Sequence, residues 1–223
     1  MSDEVVVVVA GGEAPRPEAV LSVPLGATVV AADGGLEHAE ALGLEVTLAV
    51  GDFDSAAPEA VFAAEAAGTL VERHPADKDA TDLELALEAA LAFAPQRILV
   101  LAGLGDRLDH LLSALLLLGS ARWAGVTVDA EIGAARLHVI RGERELAGRA
   151  GELVSLLPVH GRAEAVWTEG LVYELRGETL EPGSSRGVSN LFATGRARVS
   201  VERGVLVVVR PDPDGAPSEE SHA

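Results

Sequence analysis

Three strand-like runs in the first half of this chain each give way to a short cluster of acids, and that repetition constrains the fold more than any other feature. Val46 to Val50 leads into Gly51-Asp52-Phe53-Asp54-Ser55. Thr69 to Arg73 leads into Asp77-Lys78-Asp79-Ala80-Thr81-Asp82, and Arg97 to Ala102 into Asp106-Arg107-Leu108-Asp109-His110. Two earlier runs, Val5 to Ala10 ending at Gly11-Gly12 and Thr28 to Ala32 ending at Asp33-Gly34-Gly35, read the same way. Helical segments separate the runs: Leu36 to Leu42, one opening at Pro58, Asp82 to Phe93, and Leu108 to Trp123. In the third of these, Leu83, Leu87 and Leu91 recur every four residues on one face. Asp79 is expected to cap that helix, with Thr81 and Asp82 in its first turn beside the positive end of the dipole. A β-α-β-α order implies a parallel sheet covered by helices. The carboxyl ends of its strands share one crevice, where ligands bind. Carboxylates crowded there repel one another. Hard divalent cations relieve that repulsion, and Mg²⁺ commonly joins a few carboxylates to substrate phosphates. The first half therefore reads as a site for a metal-bound polyphosphate.

Near Val126 the pattern changes. Short alternating runs follow, at Leu137 to Arg141, Leu153 to Leu157, Ala163 to Thr168, Leu171 to Leu175, Ala197 to Glu202 and Val205 to Arg210, with glycines between them. Regular short strands with turn signals predict an antiparallel sandwich or barrel. The expected organisation is an α/β domain over 1–128 and an all-β domain over 129–211. A polar, disordered tail rich in Pro, Gly, Asp, Glu and Ser is expected over 212–223.

The formal net charge of −18 argues against nucleic acid or an anionic membrane as partner, since both need a basic face. A phosphate-rich ligand would reach this surface only together with cations. No cysteine is present, so disulfides and thiolate metal sites are excluded and a reducing cytoplasm is permitted. The start, Met-Ser-Asp-Glu, lacks the basic segment of a secretory signal. The apolar runs at Val5–Ala10 and Leu111–Leu118 are far shorter than the ~20 residues that span a bilayer.

Each motif has a plainer reading beside the functional one. Asp52 and Asp54, two apart after a strand, would share one side as metal ligands, with Phe53 turned into the core; the same residues suit a solvated turn. Asp79 and Asp82 suit a helix start, which leaves Lys78, the single lysine, to pair with phosphate oxygens. Gly103-Leu104-Gly105 followed by Arg107 suits a phosphate approached by backbone N–H groups and a guanidinium fork, or an ordinary strand-to-helix turn. There is no GxxxxGK[ST] loop, no HExxH helix and no GxSxG elbow.

In combination these motifs resemble those of the thiamine pyrophosphokinase family, from Val5 to about Arg210. Asp33-Gly34-Gly35 is similar to an early D-G-G, Gly51 to Ser55 to G-D-x-D-S, and Asp79 to Asp82 to D-x-T-D. Arg107 to His110 is similar to R-x-D-H, and Gly187-Val188-Ser189-Asn190 to a late S-N motif. The resemblance implies a Rossmann-like catalytic domain followed by a β-sandwich that binds thiamine. It also implies a homodimer with its active site between the catalytic domain of one subunit and the S-N segment of the other. The implied reaction moves a diphosphoryl group from ATP to the hydroxyl of thiamine, with Mg²⁺, in the cytoplasm.

Carried over residue by residue, Asp52, Asp54 and Asp82 would hold the metal. Asp52, Asp54, Asp79, Asp82, Arg107 and Asp109 would form the catalytic set. Gly12, Asp33, Gly34, Lys78, Thr81, Arg107 and His110 would contact nucleotide. Asp82, Asp109, Ser189, Asn190 and Phe192 would contact thiamine, Phe192 by stacking on the pyrimidine or else by serving the core. Two departures stand out. The Asn that family members commonly carry after R-x-D-H is replaced by Leu111-Leu112-Ser113, and Lys78 stands where some members have Gln. Two other readings remain at this stage: a diphosphokinase for another hydroxymethyl heterocycle such as a pterin, and a non-catalytic thiamine or nucleotide sensor.

Overall fold

The structure, a computed structural model, describes residues 4–54 and 56–215. Its contacts divide the chain into two units, 1–114 with 126–133 and 115–125 with 134–223.

The first unit is a parallel sheet. Strands β1 (Val5–Val9), β2 (Thr28–Ala32), β3 (Leu48–Gly51), β4 (Leu70–Arg73), β5 (Arg97–Ala102) and β6 (Thr127–Ile132) lie in the order β4-β3-β2-β1-β5-β6. Every neighbouring pair is parallel. β1 is an unbroken run of valines because it has no solvent face. Val6 to Val9 are 0% exposed, as expected for a central strand covered on both sides. Chain order reverses beside β1: β2 to β4 extend one way and β5 and β6 the other.

The helices are α1 (Gly35–Ala41), α2 (Pro58–Ala67), α3 (Asp82–Leu91) and α4 (Leu108–Leu118). α2 opens on Pro58 and closes on Gly68, whose φ of +102° suits a residue without Cβ. α3 packs against β1, β2 and β3, burying Ala86, Leu87 and Ala90. Its N-cap is Thr81, whose hydroxyl accepts from Glu84 N–H at 3.3 Å. The cap expected at Asp79 is thus corrected: Asp79 lies two residues too early and is exposed. α4 is shorter than the expected Leu108–Trp123. Gly119 ends it, where a Cβ would lie 2.6 Å from Val159 Cγ2, and a separate single turn covers Ala121–Trp123.

The second unit is antiparallel. It comprises β7 (Ala135–Ile140), β8 (Glu143–Ala147), β9 (Leu153–Glu169), β10 (Arg176–Leu180), β11 (Asn190–Leu191), β12 (Arg196–Ser200) and β13 (Arg203–Arg210). β9 pairs with β10, β11, β12 and β13. Two expected strands, Leu153–Leu157 and Ala163–Thr168, are the ends of this one 17-residue strand. Positive φ at His160, Gly161 and Ala165 bends it without ending it. The strand expected at Leu171–Leu175 is a single bridge from Leu171 to Phe192, and the pairing segment begins at Arg176. Its core gathers Ile140, Val154, Leu156, Val166, Leu180, Phe192, Val199 and Leu206, among others.

The expected boundary at 128/129 falls inside β6, which is parallel to β5 and grouped with the first unit through Gly133. The first residues of the expected disordered tail are held. Asp214 pairs with Arg136 at 3.0 Å, and Arg149 donates to the carbonyls of Pro213 and Gly215. Residues 216–223 lie outside the described residues. No helix among the described residues is long and apolar enough to cross a membrane.

Candidate active site

Parallel strands end on one edge, so whatever follows β1, β2, β3 and β4 is gathered there. Asp33 follows β2 and takes φ +48°. Its N–H donates to Val50 O at 2.8 Å, which holds its turn against β3. Two glycines make room. A Cβ on Gly51 would sit 3.0 Å from Asp33 Cβ, and one on Gly35 would sit 2.1 Å from Val9 O, so α1 can start hard against the end of β1. Asp52 follows β3 directly, and Asp82 is the first residue of α3. The outcome is convergence: Asp33, Asp52 and Asp82 each offer a carboxylate oxygen, and these lie within 4.8 Å of one another.

Lys78 joins this group. Its Nζ donates to Asp82 Oδ1 at 2.6 Å and to Asp52 Oδ2 at 2.9 Å. The Asp52 carboxyl is held below the ordinary carboxylate range, first by that bond and then by the N–H of Asp54. For Lys78, burial pulls the ammonium down, but the bonds to Asp82 and Asp52 outweigh it, and the pKa ends above the usual range. The signs define a window. Asp52, depressed, adds stability above about pH 4 that fades as pH falls through its folded value. Lys78, raised, adds stability below about pH 10 that fades as pH rises through its folded value. A carboxyl-carbon NMR titration should therefore place the Asp52 midpoint below 4, and a midpoint above 4 would show that the Lys78 contact does not persist in solution.

Asp54 behaves differently from its neighbour two residues back. Phe53 takes φ +58°, so the segment is turned instead of extended. Phe53 packs on the cluster of Ala31, Leu36, Ala49, Ala56 and Val61, as expected. Asp54, however, is exposed and its carboxylate is not among the converging three. Ser55 lies outside the described residues. Thr81 is engaged as the α3 cap, and Asp79 is exposed beside it. Gly12 has φ +82°, and its carbonyl is bonded to His38 Nε2 at 2.9 Å. Gly34 immediately precedes α1.

Beyond β5, Arg107 and Asp109 form a two-pronged ion pair, Nε to Oδ1 at 2.9 Å and Nη2 to Oδ2 at 2.7 Å. The guanidinium holds the Asp109 carboxyl far below its usual range. Both side chains are exposed, as is His110.

In the second unit, Ser189 is exposed with φ +57°, and its N–H donates to Ser155 Oγ at 3.1 Å. Asn190 is 3% exposed. Its Oδ1 accepts from Tyr173 N–H at 3.0 Å and from Leu191 N–H at 2.9 Å, and its Nδ2 donates to Tyr173 O at 2.7 Å. The amide thus clamps both backbone groups of Tyr173, whose side chain stays half exposed.

Two family models match the chain. The one described as the thiamin pyrophosphokinase catalytic domain covers residues 26–128, and the one described as its vitamin B1 binding domain covers residues 137–206. This chain belongs to the thiamine pyrophosphokinase family. It is accordingly a transferase, and relatives agree. The thiamine pyrophosphokinase of Bacillus subtilis (strain 168) is 29% identical over 192 residues, 82% of this chain and 83% of that protein. A thiamin pyrophosphokinase crystal structure from Geobacillus thermodenitrificans superposes with TM-score 0.77 at 26% identity, covering 97% of this chain and 99% of the other. The Bacillus subtilis crystal structure gives TM-score 0.81 at 23% identity over 94% and 99%, which speaks for the fold.

Within this thiamine pyrophosphokinase family member, one expected substrate contact is corrected. Phe192 is 0% exposed and belongs to the core. A Cβ on Gly148 would lie 2.6 Å from its ring, and the Arg210 guanidinium lies over it at 5.5 Å. The half-exposed aromatic whose backbone Asn190 holds is Tyr173, which sequence reasoning passed over. The signal was that Tyr173 is the chain's single tyrosine in a sequence with 3% aromatics.

Proposed function

We propose that the chain transfers the diphosphoryl group of ATP to the hydroxyl of thiamine, yielding thiamine diphosphate and AMP. The observation that carries this reading is the convergence of Asp33, Asp52 and Asp82 at the carboxyl ends of adjacent parallel strands. An all-oxygen donor set of that charge fits Mg²⁺, a hard cation that prefers carboxylates and phosphate oxygens. Bound there, Mg²⁺ would neutralise charge on the polyphosphate during in-line displacement.

The residues divide the remaining work. Lys78 and Arg107 supply positive charge to phosphate oxygens, and Gly12, Gly34, Thr81 and His110 line the nucleotide side. The thiamine oxygen bonds to the β-phosphorus while the bond from that phosphorus to the oxygen shared with the α-phosphate breaks. AMP carries that electron pair away, and Asp82 or Asp109 takes the hydroxyl proton. Asp79 contributes through its negative charge beside the α3 start. Ser189 contacts thiamine directly. Asn190 acts by presenting Tyr173, whose face suits a cationic aromatic substrate.

In this reading the parallel unit is a Rossmann-like catalytic domain, the antiparallel unit a thiamine-binding β-sandwich, and the enzyme a cytoplasmic homodimer. Support for the dimer is physical. Leu108, Leu112 and Leu116 recur every four residues on α4 and are all about half exposed or more, and Val172, Tyr173 and Val188 are exposed in the second unit. Apolar surface of this kind marks association sites.

The test is direct. Incubation with ATP, Mg²⁺ and thiamine should produce AMP and thiamine diphosphate in equal amounts, separated by anion-exchange chromatography. Formation of ADP would indicate transfer of a single phosphoryl group, and absence of thiamine-dependent AMP would refute the reading.

A further inference from the structure

Lys78 is the single lysine of the chain, and its ammonium sits where a cation is called for. It is bonded at 2.6 Å and 2.9 Å to two of the three converging carboxylates. Its side chain and that of Asp52 are each only 14% exposed, so water competes weakly for these contacts. Such short N⁺–H···O⁻ bonds are among the stronger polar contacts in proteins. A divalent ion drawn between the same carboxylates would meet a like charge a few ångströms away. The ammonium must then leave, and its flexible four-carbon stem allows it to do so.

We propose that Lys78 is a tethered counter-ion: it fills the cation seat between Asp52 and Asp82 in the free enzyme and is displaced when the divalent ion enters. Three consequences follow. The unliganded acids are kept from repelling one another without a metal. The divalent ion alone binds weakly, because each binding event breaks two charge-assisted bonds. Metal arriving with a polyphosphate binds well, because the released ammonium gains phosphate oxygens as partners. The coupling is reciprocal, as linkage requires. The proposal rests on Asp33, Asp52 and Asp82 being the metal seat.

The experiment uses Mn²⁺ as probe, with free ion read by electron paramagnetic resonance and no nucleotide present. Wild type, Lys78→Met, Asp52→Asn and Arg186→Gln are compared. Arg186 pairs with Glu178 in the second unit, so its variant controls for the loss of any positive charge. Lys78→Met should bind Mn²⁺ at least tenfold more tightly than wild type, and Arg186→Gln should match wild type. In chelator, Lys78→Met should unfold at a lower temperature than wild type, with Mn²⁺ closing the gap. A methylene-bridged ATP analogue should tighten Mn²⁺ binding more for wild type than for Lys78→Met. Equal or weaker Mn²⁺ binding by Lys78→Met, with Asp52→Asn having lost the ion, would overturn the counter-ion role alone. So would equal tightening in Arg186→Gln. Undiminished binding by Asp52→Asn would instead remove the metal seat and the catalytic reading with it.

Discussion

Replacing Asp52 with Asn should lower kcat about 10³-fold, a loss of about 4 kcal/mol of transition-state stabilisation, while the far-ultraviolet circular dichroism stays that of the wild type. The side chain keeps its size and loses its charge. Asp52 is both a member of the converging trio and a partner of Lys78, so the change removes one ligand and frees the ammonium on that side. Phosphoryl-transfer catalysis is mostly positioning and charge neutralisation, and a missing carboxylate affects both. The Mg²⁺ concentration needed for half-maximal rate should rise as well. Turnover within threefold of wild type would show that the trio is not the catalytic metal seat. Asp54→Asn, measured alongside, separates two assignments. The family resemblance includes Asp54 among the ligands, whereas its carboxylate is not part of the converging group. A loss for Asp54 as large as that for Asp52 would restore it to the set.

The second large effect is on stability. Glu152→Ala should destabilise the second unit by about 3–5 kcal/mol, the usual cost of removing one partner from a buried ion pair. Glu152 and Arg210 are 5% and 7% exposed, and Arg210 Nε donates to Glu152 Oε1 at 2.6 Å. The other carboxylate oxygen accepts from Arg149 N–H at 3.0 Å, and the Glu152 carbonyl accepts from Phe192 N–H at 2.9 Å. Truncation strands a guanidinium that also lies over the Phe192 ring. Against the 5–15 kcal/mol that holds a typical domain together, the melting temperature should fall by roughly 10 °C. Glu152→Gln, which keeps an acceptor, should lose less. The double change Glu152→Leu with Arg210→Met should recover much of the loss, because a well-packed apolar pair avoids the desolvation cost. A single Glu152→Ala variant as stable as wild type in thermal unfolding would show that this pair does not hold the segment. The same network fixes the backbone leading out of Ser189 and Asn190, so thiamine affinity should weaken with it.

Much of the first unit was legible because its signals are local. A short, β-branched run of valines with no polar interruption reads as a strand covered on both faces, as Val5–Val9 is. Pro58 opens α2 through its own backbone preference, and the acids after each strand lie on one edge because parallel strands share a direction. Less was legible where a backbone angle changed sign. Asp52 and Asp54 share a side only in an extended chain, and φ +58° at Phe53 breaks that relation. Asp33, read as a nucleotide contact, faces Asp52 because Gly51 lets the two turns approach.

What the sequence alone determined is the order of the first five strands and the four helices of the first unit, and the acidic and glycine motifs that resemble one family of enzymes; the sixth strand, β6, lies where the pattern was read as changing, near Val126. These follow from side-chain periodicity and single-residue backbone preferences, which act over a few positions. The tertiary structure alone decided which acids meet, that Lys78 lies between two of them, that β9 is one bent strand, and that Phe192 is buried while Tyr173 is presented by Asn190. Each of those depends on register and packing between segments far apart in the chain. Such contacts leave no local trace, because their free energy exists only once the sheets have formed.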